Sequence, residues 1–127
     1  MTLIFIVQSI LKTFLNMLEK KSCPAPKKIM TVEEQIRDIA RAEGVDPDLA
    51  VAIAKCESSL NSKAVLVNDT GTRDRGLFQI NNYYHPEVTD EQAFDIAFST
   101  RFFCKAYKEG NISWWNASRK CWGLTKK

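Results

Sequence analysis

Residues 56–81, CESSLNSKAVLVNDTGTRDRGLFQIN, decide how this chain is read. The stretch opens with a carboxylate, Glu57, at the end of an apolar helical pattern, and it closes on GLFQIN, a short apolar run carrying two amides, Gln79 and Asn81. Between them lies a polar, glycine-punctuated segment with a second carboxylate, Asp74, and the pattern of a turn between short strands. One acid emerging from a core with amides on the facing wall is the layout of a cleft.

The helix before this stretch supplies the key inference. Asp46 is placed to cap it and Pro47 to fill its first position, where a missing N–H costs nothing. Leu49, Ala50, Ile53 and Ala54 form its buried stripe, and helical periodicity puts Glu57 on that same face. Desolvation there disfavours the charged carboxylate, which is the condition for an acid that keeps its proton near neutral pH. A Glu salt-bridged at a helix end, near Lys55 or Arg73, is the competing reading. Asp74 is expected to stay ionised in its polar segment. It reads equally as a second catalytic carboxylate or as a turn residue paired with Arg73 or Arg75, with Asp69 as a competitor. Gln79 and Asn81 alternate with Phe78 and Ile80, so a strand would aim both amides at one face, toward sugar hydroxyls or toward backbone.

Working outward, 127 residues with 45% hydrophobic content suffice for one globular domain with a core and leave no room for a second. A net charge of +3 without a basic stripe gives no reason to expect nucleic acid. Residues 2–18, TLIFIVQSILKTFLNML, are apolar, but no basic residue precedes them and no A-x-A cleavage pattern follows. The segment is short for a membrane span and amphipathic as a helix, with Leu3, Val7, Ile10, Leu11, Phe14 and Leu18 on one face. Export or anchor segment, interfacial helix and docked helix remain open, and membrane association through residues 2–18 is among the expectations. Lys20-Lys21 and the connector SCPAPKKI follow, so residues 1–29 are read as segment and linker and residues 30–127 as the domain.

Within the domain, Thr31 with Glu34 and Thr89 with Gln92 read as capping boxes, and Gly44 and Gly110 as helix stops. Ala93, Ile96, Ala97, Thr100, Phe103, Cys104 and Tyr107 predict one long helix with its phenylalanines in the core. Tyr83, Tyr84 and His85 follow GLFQIN at the edge of the expected cleft, His85 reading as a surface turn residue. Trp114 and Trp115 can stack on a sugar, dry Glu57 or fill the core. The cysteines, Cys23, Cys56, Cys104 and Cys121, permit three pairings if all are bonded. A helical hairpin favours Cys104–Cys121, in keeping with an oxidising compartment, and Cys56 reads as a buried filler. No nucleotide loop, haem motif or metal-ligand cluster is present in the sequence, and neither cofactor nor metal is expected.

Glu57-Ser58-Ser59-Leu60-Asn61 followed by Gly76-Leu77-Phe78-Gln79-Ile80-Asn81 resembles the signature of the lysozyme-like superfamily, above all the bacterial and phage lytic transglycosylases with the SLT domain. The spacing from the acid to GLFQIN, and an Asp at position 74, are also similar to C-type lysozymes, whereas four cysteines are not their eight-cysteine pattern. Trp115-Asn116-Ala117-Ser118 resembles the Tyr-Asn-Ala-Gly motif of transglycosylases, with Trp for Tyr and Ser for Gly. The resemblance covers roughly residues 45–122.

It implies a mostly α, α+β fold with a small β-hairpin lobe and a substrate cleft between lobes. It implies a peptidoglycan glycan strand as substrate and cleavage of the MurNAc-GlcNAc β-1,4 bond, Glu57 acting as acid and then as base in a transglycosylase. A muramidase using Asp74, or a wall-binding virion or secretion component without activity, are the alternatives. Ser58, Gln79, Asn81, Tyr83, Trp114, Trp115 and Asn116 are the substrate-binding candidates. Such a protein is expected to act as a monomer outside the cytoplasm, whether secreted, periplasmic, membrane-associated or phage-borne.

Overall fold

Capping chemistry fixes where the helices of the domain begin. In the computed structural model, which describes residues 2–19 and 23–123, Thr31 Oγ accepts from Glu34 N at 3.2 Å and Glu34 Oε2 accepts from Thr31 N at 2.8 Å. This reciprocal pair satisfies two donors that a helix start leaves open and launches α2, Val32–Ala42. An Asp46 carboxylate accepting from Asp48 N starts α3, Pro47–Ser58, with Pro47 in its first turn. Before them, α1, Thr2–Glu19, keeps apolar side chains from Leu3 to Met17 in solvent, Leu3 and Phe5 among them at 75% and 73% exposure, while the side chain of Leu18 lies outside the described ones. Among the described residues no helix is long and apolar enough to cross a membrane. Lys20 and Lys21 lie outside the described residues.

The core is built where α2 meets α3 and α5, Ile96–Lys108. Ile36 and Ala40 from α2, Ala50, Ile53 and Ala54 from α3, and Phe103, Cys104 and Ala106 from α5 are buried together. Leu77, Phe78 and Trp115 close the cluster from the loop side. A smaller cluster of Ile80, Val88 and Ala93 joins the β-lobe to α4, Asp90–Phe94.

Three short antiparallel strands make that lobe: β1, Val65–Val67, β2, Arg73–Arg75, and β3, Ile80–Asn81, in the order β1-β2-β3. The register sets Asp74 between Leu66 on one side and Asn81 on the other. The fold is thus mostly helical with a small sheet, as expected, although the sheet has one strand more than a hairpin.

The GLFQIN run is not a strand throughout. Leu77 and Phe78 are both buried, which two successive residues of a half-exposed strand cannot be, because their side chains point to opposite faces. The chain instead turns at Gly76, and Gln79 sits at φ 51 with its N–H on Gly76 O. Gly76 itself has φ +74, and a Cβ there would fall 2.0 Å from Ala93 O, so both conformation and space demand glycine.

Two further expectations are corrected. The single long helix is broken at Asp95, whose extended backbone ends α4 and whose carboxylate accepts from Phe98 N to start α5. The disulfide joins Cys56 to Cys121, with Cα atoms 5.9 Å apart, instead of Cys104 to Cys121. Cys104 faces inward against α2 and is fully buried, so it is the apolar filler that Cys56 was expected to be. Cys121 lies on α6, Arg119–Trp122, which packs on α3. The 3₁₀ segment Ile112–Ser118 delivers α6 to that face, where a continuous helical hairpin would have delivered it to α5.

Candidate active site

Glu57 reaches the cleft because α3 ends immediately behind it. Ser59 and Leu60 take left-handed backbone conformations, φ 54 and 62, and turn the chain off the helix axis. Such conformations are costly for residues with a Cβ, and the surrounding fold must hold them in place. Together they leave the last turn of α3 facing the β-lobe. The cleft between has a volume of about 620 Å³ and is lined by Glu57, Asp74, Gln79, Asn81, Trp114 and Trp115 among others.

The Glu57 carboxyl is held above the ordinary carboxylate range. Burial is the chief cause; a hydrogen bond donated by the Ser118 hydroxyl to Oε1 works against it, and the negative charge of Asp74 adds to it. The salt-bridge alternative fails, because Lys55 pairs with Glu33 and Arg73 with Asp90. A partly desolvated acid with no cation paired to it among the described residues is suited to delivering a proton.

Asp74 is held differently. Asn81 Nδ2 donates to Oδ1 at 2.7 Å and Asn68 Nδ2 to Oδ2 at 3.0 Å, so amides from both flanking segments fix its orientation. Neither neighbouring arginine pairs with it. Arg73 forks onto Asp90, and Arg75, 2% exposed, bonds Ile80 O, Val88 O and Asp90 Oδ1. Asp69 stays exposed in the turn.

The remaining candidates divide. Gln79 lines the cleft while its amide is spent on Gly76 O at 2.9 Å. Asn81 lines it too, with its carbonyl oxygen accepting from Tyr83 N at 2.8 Å. Trp115 is buried, its Nε1 donating to Phe78 O at 2.8 Å and its ring set edge-on to Phe103. Trp114 is half-exposed and packs against His85 at 4.7 Å. Ser58, Tyr83 and Asn116 are not part of the lining: Ser58 Oγ bonds the carbonyls of Ala54 and Leu77, and Tyr83 and Asn116 point into solvent.

Several contributors were not among the residues singled out for the site, although Tyr84 and His85 were expected at its edge. His85 is a wall residue wedged between Phe102 and Trp114, and Phe102 lines the wall while packing against the smaller core cluster. Tyr84 occupies the lining position expected of Tyr83. The buried Arg75, which sits in the sequence beside the very Asp it does not serve, carries no local signal at all. Ser118 was visible only as a departure from a motif.

Comparison with known proteins agrees with this architecture. Residues 37–117 match the lysozyme-like domain family, well over half of the chain. A stretch of 33 residues is 61% identical to Lysozyme 2 of Lucilia sericata, covering 25% of this chain and 23% of that protein. The chain therefore spans under a quarter of the length of that relative. The fold is similar to a lysozyme from Litopenaeus vannamei, with a TM-score of 0.54 and 20% identity over 73% of this chain and 86% of that one. It is also similar to a lysozyme from Equus asinus, at 0.51 and 21% over 79% and 90%. With the helical core, the small sheet and the domain match in agreement, this chain belongs to the lysozyme-like domain family.

Proposed function

We propose that this protein cleaves the β-1,4 bond between MurNAc and GlcNAc in peptidoglycan, with Glu57 as the proton donor. The observation that carries the reading is a half-buried Glu57 with no cation beside it among the described residues, across a cleft from a carboxylate fixed by two amides. Glu57 gives its proton to the glycosidic oxygen, the C1–O bond breaks, and positive charge develops on the sugar ring. Asp74, held as a fixed negative charge, stabilises that ring without having to move.

Completion as a lytic transglycosylase is the reading carried forward. The C6 hydroxyl of the muramyl sugar attacks C1 and its proton returns to Glu57, leaving a 1,6-anhydro end and a regenerated acid. Hydrolysis is the second reading, supported by the place of Asp74 in the cleft and by the lysozymes among the relatives. Water then replaces the C6 hydroxyl and gives its proton to the same carboxylate. Trp114 and the side-chain carbonyl of Gln79 are the sugar-binding groups we favour in either case, Asn81 serves the site by aligning Asp74, and Ser58, Tyr83 and Asn116 are lesser candidates.

A Cys56–Cys121 disulfide supports action outside the cytoplasm, by a monomer whose catalytic domain is residues 30–127. The exposed apolar side chains of α1 support association with a membrane surface. Mass spectrometry of muropeptides released from purified peptidoglycan tests the activity, with Glu57→Gln as control. Anhydro ends establish transglycosylation and reducing ends hydrolysis. No release by the wild type would leave glycan binding without cleavage.

A further inference from the structure

Ser118 stands where two acceptors compete for one proton. Its hydroxyl lies 3.1 Å from Trp115 O and in hydrogen-bonding contact with Glu57 Oε1, but a serine hydroxyl can donate only once. The competition is settled by a third group. Trp122 Nε1 donates to Trp115 O at 3.1 Å, so that carbonyl is satisfied without the serine and the hydroxyl proton is left for Glu57. Among the described residues, Glu57 Oε1 therefore has a donor and Oε2 has no hydrogen-bonding partner.

The two oxygens of the carboxyl are thereby made unequal. An oxygen that accepts a hydrogen bond is a poor place for the acid's own proton, because the O–H would then face a donor. We propose that Ser118 is a positioning residue: by holding Oε1 as an acceptor, it keeps the transferable proton of Glu57 on Oε2, the oxygen left open for the glycosidic oxygen. The inference rests on Glu57 being the proton donor of the proposed reaction. The contact persists through the cycle, strengthening when Glu57 has given up its proton, since a hydrogen bond to an ionised group is the stronger kind.

The surroundings are built to hold this hydroxyl still. Trp115, three residues earlier, is anchored by its ring nitrogen on Phe78 O, and Cys121, three residues later, is bonded to Cys56 beside the acid. The chain around Ser118 is thus tied on one side to Phe78 O and on the other, through the disulfide, to the residue that precedes Glu57. By contrast, Ser58, adjacent to the acid in sequence, spends its hydroxyl on backbone carbonyls and offers Glu57 nothing.

The test compares Ser118→Ala, Ser118→Gly and Ser118→Thr with the wild-type protein by two readouts. The first is the pH profile of kcat and KM on peptidoglycan; the second is the titration of the Glu57 carboxyl, followed by NMR with ¹³C-labelled glutamate and assigned with Glu57→Gln. Ser118→Ala and Ser118→Gly are expected to lose about tenfold in kcat with KM little changed, the loss of one charge-assisted hydrogen bond. Their Glu57 titration and the alkaline limb of their kcat profile move to higher pH, and Ser118→Thr restores both toward wild type. Trp122→Phe, which returns Trp115 O to Ser118, shifts the titration in the same direction by less. An unmoved Glu57 titration in both Ser118→Ala and Ser118→Gly overturns the proposal. So does a loss of activity spread equally over kcat and KM with the limb in place. A wild type that releases no muropeptides overturns the glycosidase reading and the catalytic half of this one, while the carboxyl titration still passes or fails the hydrogen bond by itself.

Discussion

Cys56 and Cys121 bond to each other around the contact between Glu57 and Ser118: one cysteine immediately precedes the acid and the other follows the serine by three residues. The disulfide spans 65 residues of chain and joins the end of α3 to α6. A loop of that length corresponds to about 4 kcal/mol in the chain-entropy account. Reducing the bond, or replacing both cysteines by alanine, is expected to lower stability by about 3–4 kcal/mol in urea unfolding and to reduce activity as well, because the turn that brings Ser118 to Glu57 loses its tie to α3. Thiol counting in denatured, unreduced protein should find Cys23 and Cys104 free and no others. Four reactive thiols under those conditions would disprove the pairing.

The raised Glu57 carboxyl predicts two pH effects whose signs differ from those of an ordinary surface carboxylate. Its folded-state value lies above the unfolded one, so the folded protein binds more protons between the two. Its contribution to stability is full below the ordinary Glu value and is lost as pH rises through the folded value. Glu57→Gln should flatten that slope in thermal melts across mildly acidic pH while reducing turnover by at least about a hundredfold. Asp74→Asn removes a charge that raises Glu57, so the alkaline limb of activity should move to lower pH. A limb that moves up, or stays put, would contradict the coupling between the two carboxyls.

The outline of the fold was legible because its signals are local. A capping box at Thr31 and Glu34, or a proline after a capping Asp46, is complete within four residues, and each appears in the structure as read. Glu57 was legible for the same reason, since one helical face put it with Ala50, Ile53 and Ala54. The misreadings arose where a residue's partner is distant. Cys121 pairs 65 residues away, Arg75 bonds beyond the strand it sits on, and His85 is a wall residue through its contacts with Phe102 and Trp114. Periodicity carried one long helix through Asp95, where a carboxylate could equally cap a new start, and only packing decides between them.

Arg75 and Arg73 converge on Asp90, and that junction ties the β-lobe to α4. Asp90 is held below the usual carboxylate range, first by the hydrogen bond from Arg75 and then by that from Arg73. A depressed folded value means stability that is present above the ordinary Asp value and lost as pH falls through the folded one. Asp90→Ala should therefore lower the melting temperature at neutral pH, and the gap to wild type should narrow in acid. Arg75 would be left as a buried cation with carbonyl acceptors alone. A gap independent of pH would mean that the junction contributes through packing and not through charge.

Adjacent tryptophans, finally, should separate binding from folding. Trp115 is 4% exposed, bonded to Phe78 O and packed on Phe103, while Trp114 is 49% exposed and braced from behind by His85 and Phe102. An aromatic face held open beside a cleft is suited to the apolar face of a sugar, and the about 0.5–1.5 kcal/mol of an aromatic pair sets the scale of such a contact. Trp114→Ala should accordingly raise KM on peptidoglycan by up to about tenfold, leaving kcat and the urea midpoint close to wild type. Trp115→Ala should cost about 3–5 kcal/mol of stability by opening a cavity in the main core. Because Trp115 O and Ser118 belong to the same turn, whatever folded Trp115→Ala protein remains should also lose kcat. Measuring urea midpoints and both kinetic constants on the same preparations decides the assignment: a Trp114 variant that unfolds early with KM unchanged would make that ring part of the core and leave the cleft without its exposed tryptophan platform.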